Sequence, residues 1–272
     1  MLNLSVKRRL ATRWFKQLEM TFQISFSGGM GSAVSAFIAY EQGLDFNLLF
    51  ADTLIEDEDL YRFNQDVAKA VGKEIITLTD GRTPWDVYID KRWIGNSRTA
   101  HCSTELKTKQ VKKWLDEHAQ PNDPLVLGMD YSEIDRLERA QKNWDRPVRS
   151  LIIEHKVYRP KFEWYLEKYG IKKPRLYTQG YEHNNCGGFC CKAGLVQFER
   201  LYRTNQERFA YHEAEMNRAM SAIGETAKPF LRKVHQGETQ YITLTEFRKE
   251  LECQTLELPM FDDSGCGCFT DE

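Results

Sequence analysis

The chain has 272 residues, 41% of them apolar, with 6 Trp, 15 Phe and a formal net charge of −2. That size and apolar share suit one large domain, or a domain with a smaller module, built round a real core. They exclude a transmembrane helix, because no apolar run approaches the roughly 20 residues a span needs, and the near-neutral total argues against indiscriminate nucleic-acid binding.

Residues 1–20 are basic and periodic (Lys7, Arg8, Arg9, Arg13, Lys16) and read as a surface helix, with no signal-like apolar core or cleavage site. Thr21–Phe26 reads as a strand that runs into Ser27-Gly28-Gly29. Apolar Val34, Phe37 and Ile38 then fall at helical spacing and predict a helix over 32–42. A strand, a glycine-rich turn and a helix start together make an anion site, because backbone N–H groups point at a phosphate that glycine lets approach. The spacing is neither that of the Walker loop nor that of the dinucleotide fingerprint.

Further strands are predicted at Phe46–Phe50, Glu74–Leu78 and Leu125–Gly128, with helices over 59–71 and 105–118 between them. Alternating strands and helices predict a parallel sheet covered on both faces, with ligands beyond the carboxyl ends of its strands. Asp52-Thr53 and Gly128-Met129-Asp130 fall at such ends. After about residue 150 the pattern changes to prolines, dense aromatics, a cysteine cluster and a long helical stretch from Leu195 to Ile223. Thr243 and Glu246 have the spacing of a capping box for a last short helix. Three blocks are therefore expected: a basic helix (1–20), a nucleotide domain (21–150) and a helical cysteine-bearing module (151–272).

The 7 cysteines are an odd, clustered set. With no secretion signal, they point to a reducing, cytoplasmic compartment and to metal or thiol chemistry rather than a disulfide framework. Cys186, Cys190 and Cys191 form a tight group with Gly187 and Gly188 between, and thiolates select zinc or iron–sulfur clusters. Cys102 joins them if both segments sit at one end of the sheet. Cys266 and Cys268 on the terminal segment either complete a four-thiolate set with Cys186 and Cys190, or swing over a site as nucleophiles. Cys253 reads as core, and His183 as a cap.

Several of these segments, in order, resemble the phosphoadenosine-phosphosulfate (PAPS) reductase-like branch of the PP-loop superfamily. They are Ser27-Gly28-Gly29-x-x-Ser32; Phe50-Ala51-Asp52-Thr53 with Glu56; Cys102-Ser103-Thr104-Glu105-Leu106-Lys107; and Gly128 with Glu133 and Arg136. Asn184-Asn185-Cys186-x-x-x-Cys190-x-Lys192-x-Gly194 and Cys266-Gly267-Cys268 complete the series. The resemblance implies a doubly wound, mostly parallel five-stranded α/β sheet. It implies nucleotide contacts from Ser25, Ser27, Gly28, Gly29, Met30, Gly31, Ser32, Asp52, Thr53 and Gly128, with Lys107 and Arg136 facing phosphates or a substrate anion. For Arg136 and Arg139 a solvated helix face is the competing reading.

ATP-cleaving members have Asp where this chain has Gly31, whereas the sulfonucleotide reductases lack it. The expected function is ATP pyrophosphatase chemistry with Mg²⁺ that drives sulfur transfer, as in DNA phosphorothioation and tRNA thiolation, with a cysteine desulfurase as donor and a nucleic acid among the acceptors. One alternative is a PAPS or adenosine phosphosulfate reductase, with Cys266 as nucleophile and a thioredoxin-like donor. The other is a non-catalytic nucleotide and partner binder with structural zinc. The family's [4Fe–4S] reductases imply Cys102, Cys186, Cys190 and Cys191 as cluster ligands, with zinc as the second choice. A homodimer is compatible with all three.

Overall fold

A computed structural model describes residues 20–235 and 238–253. In chain order the elements are β1 (Phe22–Ser25), α1 (Met30–Glu41), β2 (Phe46–Asp52), α2 (Glu58–Val71), β3 (Ile75–Thr79) and α3 (Pro84–Asp90). A helical turn (His101–Ser103) and a π-helical turn (Thr104–Thr108) lead into α4 (Lys109–His118). There follow β4 (Leu125–Val126), α5 (Ile134–Asn143), β5 (Val148–Arg149), α6 (Leu151–Glu154), α7 (Lys161–Lys168) and α8 (Arg175–Thr178). The chain continues with α9 (Leu195–Thr204), α10 (Gln206–Ile223), the hairpin β6 (Leu231–His235) and β7 (Glu238–Ile242), and α11 (Leu244–Glu252).

The main sheet is five-stranded in the order β3-β2-β1-β4-β5. β1 pairs in parallel with β2, Ser25 opposite Leu49, and with β4, Ile24 opposite Val126; β4 pairs in parallel with β5. Strand order reverses between β1 and β4, so the loops after these two strands flank the switch point at which such sheets bind ligands. The fold is the α/β architecture expected.

The described chain divides into two compact units assembled from alternating segments. The first comprises the residues up to Ala51, Tyr61–Leu78 and Val111–Lys173 and holds the sheet. Its core is fully buried Phe22, Ile24, Phe26, Val34, Phe37, Leu48 and Val126. The second comprises Asp52–Leu60, Thr79–Gln110 and the residues from Pro174 onward. Its core is an aromatic cluster with Trp85, Phe189, Phe198, Phe209 and Phe247. The units interleave along the chain rather than following the blocks 21–150 and 151–272.

Several expectations need correction. The stretch from Leu195 to Ile223 is two helices, because Asn205 leaves helical geometry (φ −153°, ψ 82°) and its side chain accepts a bond from the Arg208 amide as the cap of α10. The helix expected over 105–118 opens with the π-turn, and the hairpin adds two strands to what read as a helical module. Cys253 is exposed, not core. The capping box of α11 is present: the Thr243 side chain accepts from the Glu246 amide and the Glu246 carboxylate from the Thr243 amide. Among the described residues no helix is long and apolar enough to cross a membrane. The basic stretch over 1–19 and the Cys266 and Cys268 tail lie outside the described residues.

Candidate functional site

In the first unit, β1 ends at Ser25 and the chain turns through Gly28 (φ +76°) into α1. Gly29 caps the helix in extended backbone and makes no side-chain cap bond. The Ser32 hydroxyl donates to the Gly29 carbonyl at 2.8 Å, and the Ser27 hydroxyl stands 3.5 Å from Ser32 Oγ. Small residues and two hydroxyls therefore surround the start of a twelve-residue helix, an arrangement suited to a phosphate. Ser25 is buried at the end of β1, and Met30 is the first residue of α1, its side chain turned inward.

The loop after β4 presses onto this turn. A Cβ on Gly31 would lie 2.2 Å from the Gly128 carbonyl oxygen, and one on Gly128 would lie 2.4 Å from the Ser32 nitrogen. Only glycine at both positions permits that approach. Gly128 thus packs directly onto the first turn of α1, just past the Ser-Gly-Gly turn. Arg136 lies on α5, half-buried, with its guanidinium on the Glu133 carboxylate.

The second unit gathers the other predicted residues. Cys102, Cys186, Cys190 and Cys191 line one cavity together with Thr53, Ser103, Lys107 and Lys192. Lys107 sits in the π-turn, an irregularity frequent at functional sites, and is buried. Its ammonium lies 3.8 Å from Cys186 Sγ and 3.7 Å from the Glu56 carboxylate. Glu56 is buried, accepts the Thr53 hydroxyl at 2.8 Å, and also accepts the Cys186 amide. Burial pushes the Glu56 carboxyl above its ordinary value, against the pull of Lys107, Thr53 and that amide. Asp52, at the end of β2, accepts the Leu54 amide at 2.8 Å, as a strand-end turn residue does.

Cys186 holds a left-handed backbone (φ +54°) that a cysteine rarely adopts. Gly187 continues it (φ +57°), and a Cβ there would meet Arg208 Nη1 at 2.1 Å. Arg208 donates to the Ile55 carbonyl at 2.8 Å and the Glu56 carbonyl at 3.1 Å, so it fixes the segment that carries Glu56. Buried Tyr88 and the cavity residue Cys102 share a hydrogen bond at 3.2 Å. Hydrogen bonding to Cys102 and Cys190, together with burial, pushes the Cys191 thiol well above its ordinary value. The four thiols therefore differ: Cys191 is held neutral, while Cys186 faces an ammonium.

Motif reading missed Tyr88 and the bond from the Cys186 amide to Glu56. No local pattern marks either, since each depends on segments brought together by packing. Among the described residues no three His, Cys, Asp or Glu side chains converge as a metal-binding group.

Residues 21–144 match the family of the phosphoadenosine phosphosulfate reductase domain. Two uncharacterized proteins of Methanocaldococcus jannaschii are each 25% identical, one over 223 residues (75% of this chain, 52% of the relative) and one over 195 residues (66% and 38%). The chain thus spans about half the length, or less, of these curated relatives. A crystal structure of phosphoadenylyl-sulfate (PAPS) reductase from Candida auris, a phosphate complex, aligns with a TM-score of 0.45 at 13% identity, over 63% of this chain and 83% of that one. Residues 21–144 are thus similar to phosphoadenosine phosphosulfate reductase domains.

Proposed function

We propose that this protein is an adenine-nucleotide-dependent sulfur-transfer enzyme in which Cys186 carries the sulfur. The observation that supports this most is the buried Lys107 ammonium 3.8 Å from Cys186 Sγ. A cation beside a thiol favours the thiolate, the form that attacks sulfur and carries it as a persulfide. The Ser-Gly-Gly turn supplies backbone donors and hydroxyls for the nucleotide phosphates.

In the reaction, an acceptor oxygen attacks the α-phosphorus of magnesium-bound ATP and pyrophosphate leaves. The terminal sulfur of a Cys186 persulfide, loaded by a donor of the cysteine-desulfurase class, then attacks the activated carbon and AMP departs. A second cavity thiol, Cys190, breaks the resulting sulfur–sulfur bond and releases the thiolated product. An external dithiol reduces the Cys186–Cys190 disulfide that remains. No step runs through a metal held by the cysteines.

A second reading is favoured by the family of residues 21–144 and by Gly31, which leaves no carboxylate at the position ATP-cleaving relatives use. A thiolate attacks the sulfur of PAPS, and the enzyme–sulfur bond is reduced to release sulfite. In that reading Cys266 or Cys186 is the nucleophile.

The test is sulfur loading. Wild-type protein, treated with a desulfurase and radiolabelled cysteine, should take label onto Cys186 and discharge it when ATP, magnesium and acceptor are added. Cys186→Ser should take up none at this site, while Cys102→Ser should still load. Equal labelling of Cys186→Ser and wild type would overturn the assignment.

A further inference from the structure

The first unit carries an exposed basic and aromatic surface that the sulfur chemistry does not use. Residues 155–161 read His-Lys-Val-Tyr-Arg-Pro-Lys and contain no carboxylate, in a chain of net charge −2. Lys156, Tyr158, Arg159 and Lys161 are all exposed, Tyr158 by 56%. Backbone bonds from Lys156 to Ile153, Val157 to Ile152, Lys161 to Tyr158 and Phe162 to Arg159 hold the loop in one shape.

The loop is clipped to the segment that abuts the phosphate turn. Tyr158 stacks on Tyr131 with ring centroids 4.8 Å apart at 16°. Tyr131 is anchored through its hydroxyl, which donates to the Ile153 carbonyl at 3.0 Å. Arg159 lies 3.9 Å from Asp130, and the Ser150 hydroxyl donates to the Met129 carbonyl at 2.6 Å. Two residues before Asp130 is Gly128, whose backbone touches Gly31 and Ser32. Three residues of chain reach about 10 Å at most, so the stacked tyrosines stand close to the phosphate turn. Of the nearby carboxylates, exposed Glu154 is paired with Arg149, Glu133 with Arg136, and Asp130 faces Arg159.

We propose that Tyr158, on its Tyr131 base, and the cations Lys156, Arg159 and Lys161 form a docking platform for a single-stranded nucleic acid beside the nucleotide site. A base extends the tyrosine stack while the cations track successive phosphates. The open, strongly exposed ring suits a strand passing over it rather than the enclosed slot that a mononucleotide needs. The proposal rests on the sulfur-transfer reading for its meaning, since it names the acceptor class, but the platform is tested by binding alone.

The experiment is fluorescence anisotropy with a short labelled single-stranded DNA of mixed sequence, titrated with the full chain over a range of salt. Wild type should bind with an affinity that falls as salt rises. Tyr158→Ala should weaken binding about tenfold and Tyr158→Phe should retain it. The triple variant Lys156→Gln, Arg159→Gln, Lys161→Gln should lower the salt slope by about 2, since each phosphate left without its cation takes about 0.7 from it. ATP affinity, measured in parallel, should be unchanged in every variant, which also shows that each is folded.

No saturable binding by wild type would overturn the platform, as would variants that bind like wild type or a duplex bound equally well with no effect of Tyr158→Ala. Loss of ATP affinity in a variant whose melting temperature matches wild type would also overturn it, by making the tyrosines the mononucleotide's own site. Oligonucleotide binding without label transfer from Cys186 would sink the sulfur-transfer reading and leave the platform standing.

Discussion

The carbonyl oxygen of Gly128 stands 2.2 Å from where a Cβ on Gly31 would lie. Position 31 is therefore closed to any side chain in this structure. Gly31→Ala must push apart two backbone segments that flank the phosphate turn. Overpacking of this kind costs about 1–3 kcal/mol, and the displaced turn loses its phosphate donors. The expected result is a lower melting temperature and at least tenfold weaker ATP binding by calorimetry, with Gly31→Asp no better than Gly31→Ala.

Lys107 and Glu56 are both buried and 3.7 Å apart. Lys107→Met leaves a carboxyl in a dry site, at a cost of about 3 kcal/mol, less whatever Glu56 recovers by taking up a proton. Lys107→Met with Glu56→Gln should restore most of that stability in denaturant unfolding. It should not restore the thiolate: alkylation of Cys186 by iodoacetamide at neutral pH, followed by peptide mass spectrometry, should stay about tenfold slower than wild type. Exposed Cys253 serves as the internal reference.

Gly187→Ala places a Cβ 2.1 Å from Arg208 Nη1 and 2.7 Å from the Ile55 carbonyl, in a left-handed backbone. The variant should break the Arg208 bonds that fix residues 55 and 56. Cys186 alkylation should slow about as much as in Lys107→Met, with Lys107 itself intact. An unchanged Cys186 rate would show that the strained turn does not position the thiol.

His212 is fully buried, accepts the Trp85 indole N–H on Nδ1 at 3.1 Å and stacks on Phe189 at 4.0 Å. Burial, and then Arg208, hold its pKa well below 6.5. The unfolded chain therefore binds a proton that the folded one refuses. Stability is full above about pH 6.5 and falls as pH drops toward the folded value, by about 1.4 kcal/mol at one unit below 6.5. His212→Phe should lose that acid sensitivity while starting about 1–2 kcal/mol lower, because the Trp85 N–H loses its acceptor. Urea unfolding at pH 7.5 and 5.5 checks both.

Local features were legible in the sequence. The strand before Ser27, the turn itself and α1 follow from alternation, glycine and helical spacing within some twenty residues. The motifs marked Lys107 for a phosphate or substrate anion and the four cysteines for a metal; that all five line one cavity is decided by packing. Tyr88 against Cys102, the Cys186 amide on Glu56 and His212 beneath Phe189 were not legible, because each is decided by tertiary packing. The break at Asn205 had a signal, an Asn cap before Gln-Glu, that the long apolar periodicity on both sides obscured. Cys253 followed the periodicity of α11 yet lies just past its end, where spacing no longer predicts burial.

The most direct test of nucleotide-dependent sulfur transfer uses anaerobically purified protein carrying a Cys186 persulfide, mixed with α-labelled ATP, magnesium and single-stranded nucleic acid. The account predicts labelled AMP and pyrophosphate in step with thiolation of the strand, both absent in Cys186→Ser. Sulfite release from PAPS, with ATP left intact under the same conditions, would contradict it and assign the chain to the reductases.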